Sequence, residues 1–376
     1  ISLASGSWSE ARAQDPSSLD SAHTAGGFRA EGLAAIQQLM DAAVREGRIP
    51  SAVAMLARDS VILWMGTAGE MGPGHPMRRD AIIPLASVGK MYTAVAAMLL
   101  VERGVIALED PVSKYVPEFA QVVVGVTDAS GHVMLQTPRE AITVHHLLTH
   151  TGGLTVTGDD FWAAWDAHSG RTTTTQLARA LAALPLQAPP GTAFAYGQTG
   201  ASYEVLGAVI EIASRQTLEA FMQEHIFDPL GLQDTHFYLP EEKAERMPSF
   251  FRRVDGALER ERPYGVDFPR STFFHGGGGV EASPQDFLRF AQIFLDGGSS
   301  GGVRLLDPET IDRMMTDQLG DLAPRAGWSW GYGAALQLSE DAAGSRTLRQ
   351  YGWIGGGYAI AWVDPVDRLE IGRAHV

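Results

Sequence analysis

Between residues 31 and 46 the apolar positions Leu33, Ile36, Leu39, Met40 and Ala43 recur at three- and four-residue spacing, which predicts an amphipathic helix. The pattern changes at 51–71, "SAVAMLARDSVILWMGTAGEM", where two strand-like runs flank the polar Arg58-Asp59-Ser60 and read as a hairpin. Residues 86–103 read as a helix that stops at Gly104. A turn-rich stretch at 107–119 precedes a short helix in 142–154, broken at Gly152-Gly153. Further helices are predicted over 175–184, 200–215 and 217–226, and a loop over 229–238. In 273–298 a glycine turn leads through a strand-like stretch to a helix with Ser283 as N-cap and Pro284 at its first position. Its stripe of Phe287, Phe290, Ile293 and Phe294 reads as core. Residues 332–338 and 356–365 read as strands separated by turns.

Strands at both ends and helices between them predict an α/β (α+β) architecture, one sheet closed by the two chain ends around an inserted helical region. The expected division is a disordered leader at 1–27, a single domain at 28–370 and a tail at 371–376. Within the domain the α/β part covers about 28–86 and 280–370, and the helical region about 87–279.

With 376 residues, 45% of them hydrophobic, the chain can bury a sizeable core. No run of eighteen or more uncharged apolar residues is present, so no membrane partner is expected. Acidic residues outnumber basic ones 44 to 29, and a net charge of −15 argues against nucleic acid or anionic lipid. The absence of cysteine excludes disulfides, thiolate catalysis and cysteine-bound zinc. Ala11-Arg12-Ala13 before Gln14 fits a signal-peptidase site, which makes 1–27 a candidate signal-peptide remnant. The expected location is periplasmic or secreted, with a cytoplasmic one as the alternative. The final "IGRAHV" reads like translated adapter DNA, so 371–376 are expected to be a non-native tail on a truncated C-terminus. A chain that stopped near Leu369 would expose an edge strand.

The chemistry starts at "PLASVGKMYTAV" (84–95), where Ser87 and Lys90 are three residues apart and can touch on one helix face. A helix N-terminus favours a developing alkoxide, and a buried lysine loses its proton more readily, so such a lysine can activate serine. Alone, the pair is a weak signal, because serine is also a common helix cap. Tyr196, in "AFAYGQTG" (193–200), sits before a helix and is a candidate general base and acid. In "YGWIGGGYAIAWVDP" (351–365), a strand entered through glycines can bring a backbone N–H close to a reacting carbonyl.

Other patterns are set aside. Gly297-Gly298-Ser299-Ser300-Gly301 matches G-x-S-x-G, but a helix precedes it and a loop follows, the reverse of a nucleophile elbow. His146 and His150 have metal-ligand spacing beside His145, but Leu147 stands where H-E-x-x-H has its glutamate, and no metal is expected. The run 276–279 lacks the Lys-Ser/Thr of a phosphate loop and reads as a tight turn that lets the site be approached.

Taken together, these elements resemble the serine β-lactamase and penicillin-binding-protein superfamily, and within it the class C β-lactamase-like esterases, family VIII carboxylesterases. The likeness covers about residues 32–369 and includes "LASVGKMYTAVAAMLLVERGVIALEDPVSKYVPEF", "HHLLTHTGGL", "YGQTGASYEVLGAVIE", "IFDPLGLQDTHFY" and "HGGGGVEASPQDFLRFAQIFLDGG". It implies a β-lactamase/transpeptidase-like fold, a mainly antiparallel sheet flanked by helices. It implies that Ser87 is the nucleophile, that Lys90 and Tyr196 are its proton partners, and that the N–H groups of Ser87 and Gly356 form the oxyanion hole.

Where the lactamases have K-T-G and the esterases often W-G-G, this chain has Trp353-Ile354-Gly355. Trp353 carries no charge to hold a β-lactam carboxylate. Gln198 replaces the usual Asn or Ser of the tyrosine motif, and Ile354 would narrow the acyl pocket. With Gly355 these residues are the expected substrate contacts. The resemblance implies a carboxylesterase that hydrolyses small-molecule, short-acyl esters through an acyl-enzyme, with no cofactor. A class C-type β-lactamase or D-alanyl-D-alanine-directed peptidase, with Arg349 in place of the lysine, is one alternative. A non-catalytic penicillin-binding or sensor-like module is the other.

Overall fold

The computed structural model describes residues 27–127, 130, 133–154, 173–196, 201–255, 257–261, 272–338, 350–356 and 359–375. The chain opens with helix α1 (Ala30–Arg45), then the hairpin β1 (Ser51–Arg58) and β2 (Val61–Gly72), and short strands β3 (His75–Pro76) and β4 (Ile83–Pro84). A 3-10 turn over Ala86–Gly89 runs into α2 (Lys90–Glu102). The middle of the chain contains the hairpin β5 (Val124–Thr127) and β6 (Val133–Gln136), then α3 (Val144–Leu148), α4 (Thr174–Ala182), α5 (Ala201–Ser214) and α6 (Leu218–Met222). After α6 a π-helical turn continues the helix over Gln223–Phe227. Next come β7 (Thr235–His236), the hairpin β8 (Phe250–Val254) and β9 (Ala257–Glu261), and β10 (Glu281–Ala282). Helix α7 (Pro284–Leu295), the two-residue strands β11 (Ser299–Ser300) and β12 (Val303–Arg304), and α8 (Pro308–Met314) follow. Strands β13 (Trp328–Trp330), β14 (Ala335–Gln337), β15 (Gln350–Gly355), β16 (Ala359–Asp364) and β17 (Leu369–His375) end the chain.

Eight strands form one antiparallel sheet in the order β13-β14-β15-β16-β17-β1-β2-β3. The two chain ends therefore meet within it, and the inserted region, helical with two hairpins of its own, connects them. A smaller sheet, β4-β10-β7, ties that region back to the strand just before the Ala86 turn. On one face of the main sheet, Leu33 and Met40 of α1 pack on Leu56, Trp64 and Ala68. On the other face α7 lies against β1, β16 and β17. Ser283 caps α7 by accepting the Asp286 N–H at 3.2 Å, with Pro284 at the first helical position as its sequence predicts.

Helix α2 lies at the centre. Every residue from Lys90 to Leu100 is buried, so it lacks a polar stripe and is enclosed all round. Burying Lys90 in such a helix requires polar partners, and these define the site described below.

The last described strand, β17, does not lie at an edge of the sheet. The strand continues to His375, and β17 is paired on both sides, Ala52 to His375 against β1 and Ala359 to Ala374 against β16. Residues 371–375 thus take an interior place in the sheet.

Candidate active site

Ser87 lies within the 3-10 turn and α-helical geometry begins at Lys90, so the two side chains project to the same side. The residue before the nucleophile candidate, Ala86, has φ +46°, a left-handed conformation unusual for alanine. Two glycine backbones enclose this turn. A Cβ on Gly278 would lie 2.9 Å from the Ala86 carbonyl carbon, and one on Gly355 would lie 2.1 Å from the Leu85 oxygen. Only glycine permits both approaches. Gly356 follows at the end of β15, its Cβ position 3.7 Å from the Ala86 Cβ, so its backbone flanks the Ser87 turn.

Lys90 is 1% exposed. Its Nζ donates to Ser87 Oγ at 2.9 Å and to the Gly277 carbonyl at 2.7 Å. The ammonium also lies 5.1 Å from the centre of the Tyr196 ring and 5.8 Å from that of Tyr203. Ser87 is therefore no plain helix cap: its hydroxyl accepts from the lysine, and no side-chain cap bond is made at the start of α2.

Tyr196 reaches the site from the loop before α5, and its hydroxyl accepts the indole N–H of Trp353 at 2.8 Å. Trp353 in turn lies 4.7 Å from Trp330, edge to face. Beneath Tyr196 lies His150, 1% exposed and with φ +56°. Its ring is 4.7 Å from Tyr196 and stacks on Tyr203 at 5.0 Å. Neither ring nitrogen has a hydrogen-bond partner among the described residues. Burial, reinforced by the nearby Lys90 charge, holds the imidazole well below its ordinary pKa and keeps it neutral. Burial also pushes the Tyr203 phenol well above the usual tyrosine range.

The structure thus brings Ser87, Lys90, Tyr196, Trp353, Gly355 and Gly356 together. Ile354 is not brought with them. Side chains alternate along β15, so while Trp353 turns toward Tyr196, Ile354 points to the opposite face, pairs with Ile360 and is 51% exposed. The expectation that Ile354 narrows the acyl pocket is corrected accordingly. Gln198 and Arg349 lie outside the described residues.

The other two histidines of that cluster, His145 and His146, serve the fold. His146 Nδ1 accepts the Thr143 N–H at 3.2 Å in a capping box, and His145 Nδ1 lies 2.9 Å from the Tyr332 hydroxyl. Ser299 lies in β11, after a helix rather than a strand, with Ser300 beside it. Sequence reasoning passed over Gly277 as an acceptor for Lys90, because a backbone carbonyl leaves no residue-type signature. The buried carboxylate of Glu204 behind it was also missed, although a lone acid in the apolar run "SYEVLGAVI" was a readable signal.

A buried lysine on a serine hydroxyl, with a tyrosine beside it and glycine backbones over the turn, is an arrangement suited to acyl transfer. The comparisons with known proteins point the same way. The family model described as Beta-lactamase matches residues 34–373. The chain is 33% identical over 380 residues to Esterase EstB of Burkholderia gladioli, covering 92% of this chain and 90% of that one. It is 30% identical over 327 residues to the Lovastatin esterase of Penicillium rubens, covering 79% of each. Among solved structures it is similar to EstCE1, a hydrolase with promiscuous acyltransferase activity, with a TM-score of 0.74, 26% identity and coverage of 92% and 93%. The chain therefore belongs to the Beta-lactamase family, and within it is a serine hydrolase of the esterase type that acts on carboxylic esters.

Proposed function

We propose that the protein hydrolyses short-acyl carboxylic esters through an acyl-enzyme on Ser87. The observation that carries this reading is the 2.9 Å contact between Lys90 Nζ and Ser87 Oγ, made inside a buried site. Lys90, with Tyr196, takes the proton as Ser87 Oγ attacks the ester carbonyl. The negative charge that develops on the carbonyl oxygen is held by the N–H groups of Ser87 and Gly356, each donor worth roughly 3–4 kcal/mol in such sites. Tyr196 passes a proton to the leaving alkoxide, then draws one from the water that releases the acid. Trp353 fixes the Tyr196 oxygen during both transfers.

Preference for a neutral ester over a β-lactam is supported by Trp353. Its single N–H donor is engaged by Tyr196, and it has no charge to offer a substrate carboxylate. The similarity to EstCE1 also supports transfer of the acyl group to an added alcohol in place of water.

The test is hydrolysis of p-nitrophenyl butyrate and of nitrocefin by the wild type and by Ser87→Ala, with and without an alcohol acceptor. Ester turnover that disappears in Ser87→Ala, with little nitrocefin cleavage, is the expected result. Full ester activity in Ser87→Ala would remove the acyl-enzyme mechanism, and dominant nitrocefin turnover would make the protein a lactamase.

A further inference from the structure

We propose that Glu204 is a positioning residue for Lys90: its buried carboxylate fixes the 276–277 turn whose carbonyl receives the lysine. The inference rests on the reading of Lys90 as the proton acceptor of Ser87.

Glu204 sits on α5 and is fully buried at 0% exposure. Its Oε2 accepts the Gly276 N–H at 3.2 Å and its Oε1 the Gly277 N–H at 2.9 Å. His275 Nδ1 abuts Oε1 from the start of the same turn. The carbonyls of those two glycines point the other way, to α2. Thr93 Oγ1 donates to Gly276 O at 2.6 Å, and Lys90 Nζ donates to Gly277 O at 2.7 Å. The N–H and C=O groups of both glycines are therefore held from both sides, by the carboxylate on one and by α2 on the other. A Cβ on Gly276 would lie 2.4 Å from the Tyr203 carbonyl, so the close approach of turn and helix requires glycine.

A buried carboxylate in a fold of this kind calls for a partner of opposite charge. The groups that face the Glu204–Lys90 axis are His275 on the turn, Tyr203 on α5, Tyr196 on its loop and His150 after α3. Burial keeps His150 and Tyr203 uncharged. His275 meets the carboxylate directly, and Lys90 Nζ is linked to it only through the Gly277 peptide. The arrangement fixes where the Lys90 nitrogen sits relative to Ser87 Oγ.

The test compares kcat and KM on p-nitrophenyl butyrate for wild type, Glu204→Gln and Glu204→Asp. In Glu204→Gln kcat falls roughly tenfold with KM nearly unchanged. The carboxamide has one acceptor oxygen for the two glycine N–H groups, so one hold on the turn is lost. Glu204→Asp keeps both acceptor oxygens and recovers part of kcat. A wild-type kcat in Glu204→Gln, or a fall in kcat that Glu204→Asp does not restore at all, overturns the proposal. Should Glu204→Gln fail to fold, Thr93→Val probes the same turn from the α2 side: a drop in kcat at constant KM and melting temperature supports the proposal, and a wild-type kcat overturns it. Ser87→Ala separates the two readings. If it is inactive while Glu204→Gln keeps a wild-type kcat, only the role of Glu204 fails; if it is fully active, the Ser87 mechanism itself fails.

Discussion

The indole N–H of Trp353 donates to the hydroxyl oxygen of Tyr196 at 2.8 Å, with the two rings 5.0 Å apart. A neutral donor thus occupies the place where the resemblance to lactamases puts a lysine, and it is directed at the tyrosine and not outward. Trp353→Phe keeps an aromatic ring in contact with Tyr196 and Trp330 and removes the donor. Ester kcat/KM should drop about tenfold, the scale of one hydrogen bond to a group that gains charge. Steady-state assays with p-nitrophenyl butyrate read this directly, and an unchanged kcat/KM would mean that the bond has no part in turnover.

Gly355 is set against the Leu85 carbonyl so closely that any β-carbon must displace either β15 or the backbone leading into the Ser87 turn. Gly355→Ala should therefore push β15 away from the Ser87 turn, lowering stability by at least about 1–3 kcal/mol and activity by a hundredfold or more. Chemical denaturation paired with the ester assay checks both quantities. A variant as stable and active as the wild type would show that the two backbones are less tightly apposed.

Two buried carboxyls give stability a definite pH dependence. Burial raises Glu281 and Glu370 from 4.5 to about 8, and Glu281 Oε2 and both Glu370 oxygens have no hydrogen-bond partner among the described residues. Both groups are neutral in the fold, whereas in the unfolded chain they ionise near 4.5. Their contribution is fully present below that pH and is lost as pH rises toward about 8. His236 works in the opposite direction. Burial and the Lys243 charge lower it to about 4, so its contribution is lost as pH falls from 6.5. Glu281→Gln should flatten the alkaline side, with a melting temperature a few degrees above wild type at pH 8 and near it at pH 5. Equal offsets at both pH values would remove the linkage.

His150→Asn retains a residue that tolerates the left-handed backbone but removes the ring stacked between Tyr196 and Tyr203. The loss of a fully buried aromatic should cost about 2–4 kcal/mol and reduce kcat, because the Tyr196 ring loses its floor. Denaturant midpoints and turnover on the same ester would test this. A variant that keeps its kcat would confine His150 to the fold.

Local signals carried much of the site. Ser87 and Lys90 were readable because their contact is set by helical spacing, and Tyr196 and Trp353 because each sits in a recognisable glycine-bounded motif. The hairpin at 51–71 and the cap at Ser283 were legible for the same reason: short-range pattern decides them. Ile354 was misread because it was judged as a neighbour of Trp353 in sequence, whereas on a strand the next residue faces the other way. Gly277 and Glu204 were illegible as a pair, since 73 residues separate the carboxylate from the N–H it accepts and only tertiary structure joins them. The place of β17 was equally non-local. Its partner β1 lies more than 300 positions upstream.

That last pairing sets a timetable for biosynthesis. β17 separates β16 from β1 in the sheet, so until Leu369–His375 leave the ribosome, the strands made first have no lateral connection to those made last. β1 and β2 can form their hairpin early but must wait with one side open, and Gly355 reaches the Ser87 turn only after β15 has been made. Contacts this distant in sequence slow folding and prolong the exposure of unpaired strands. The nucleophile turn thus matures long after its own residues emerge, and nascent chains are open to chaperones until β17 slides between its two neighbours.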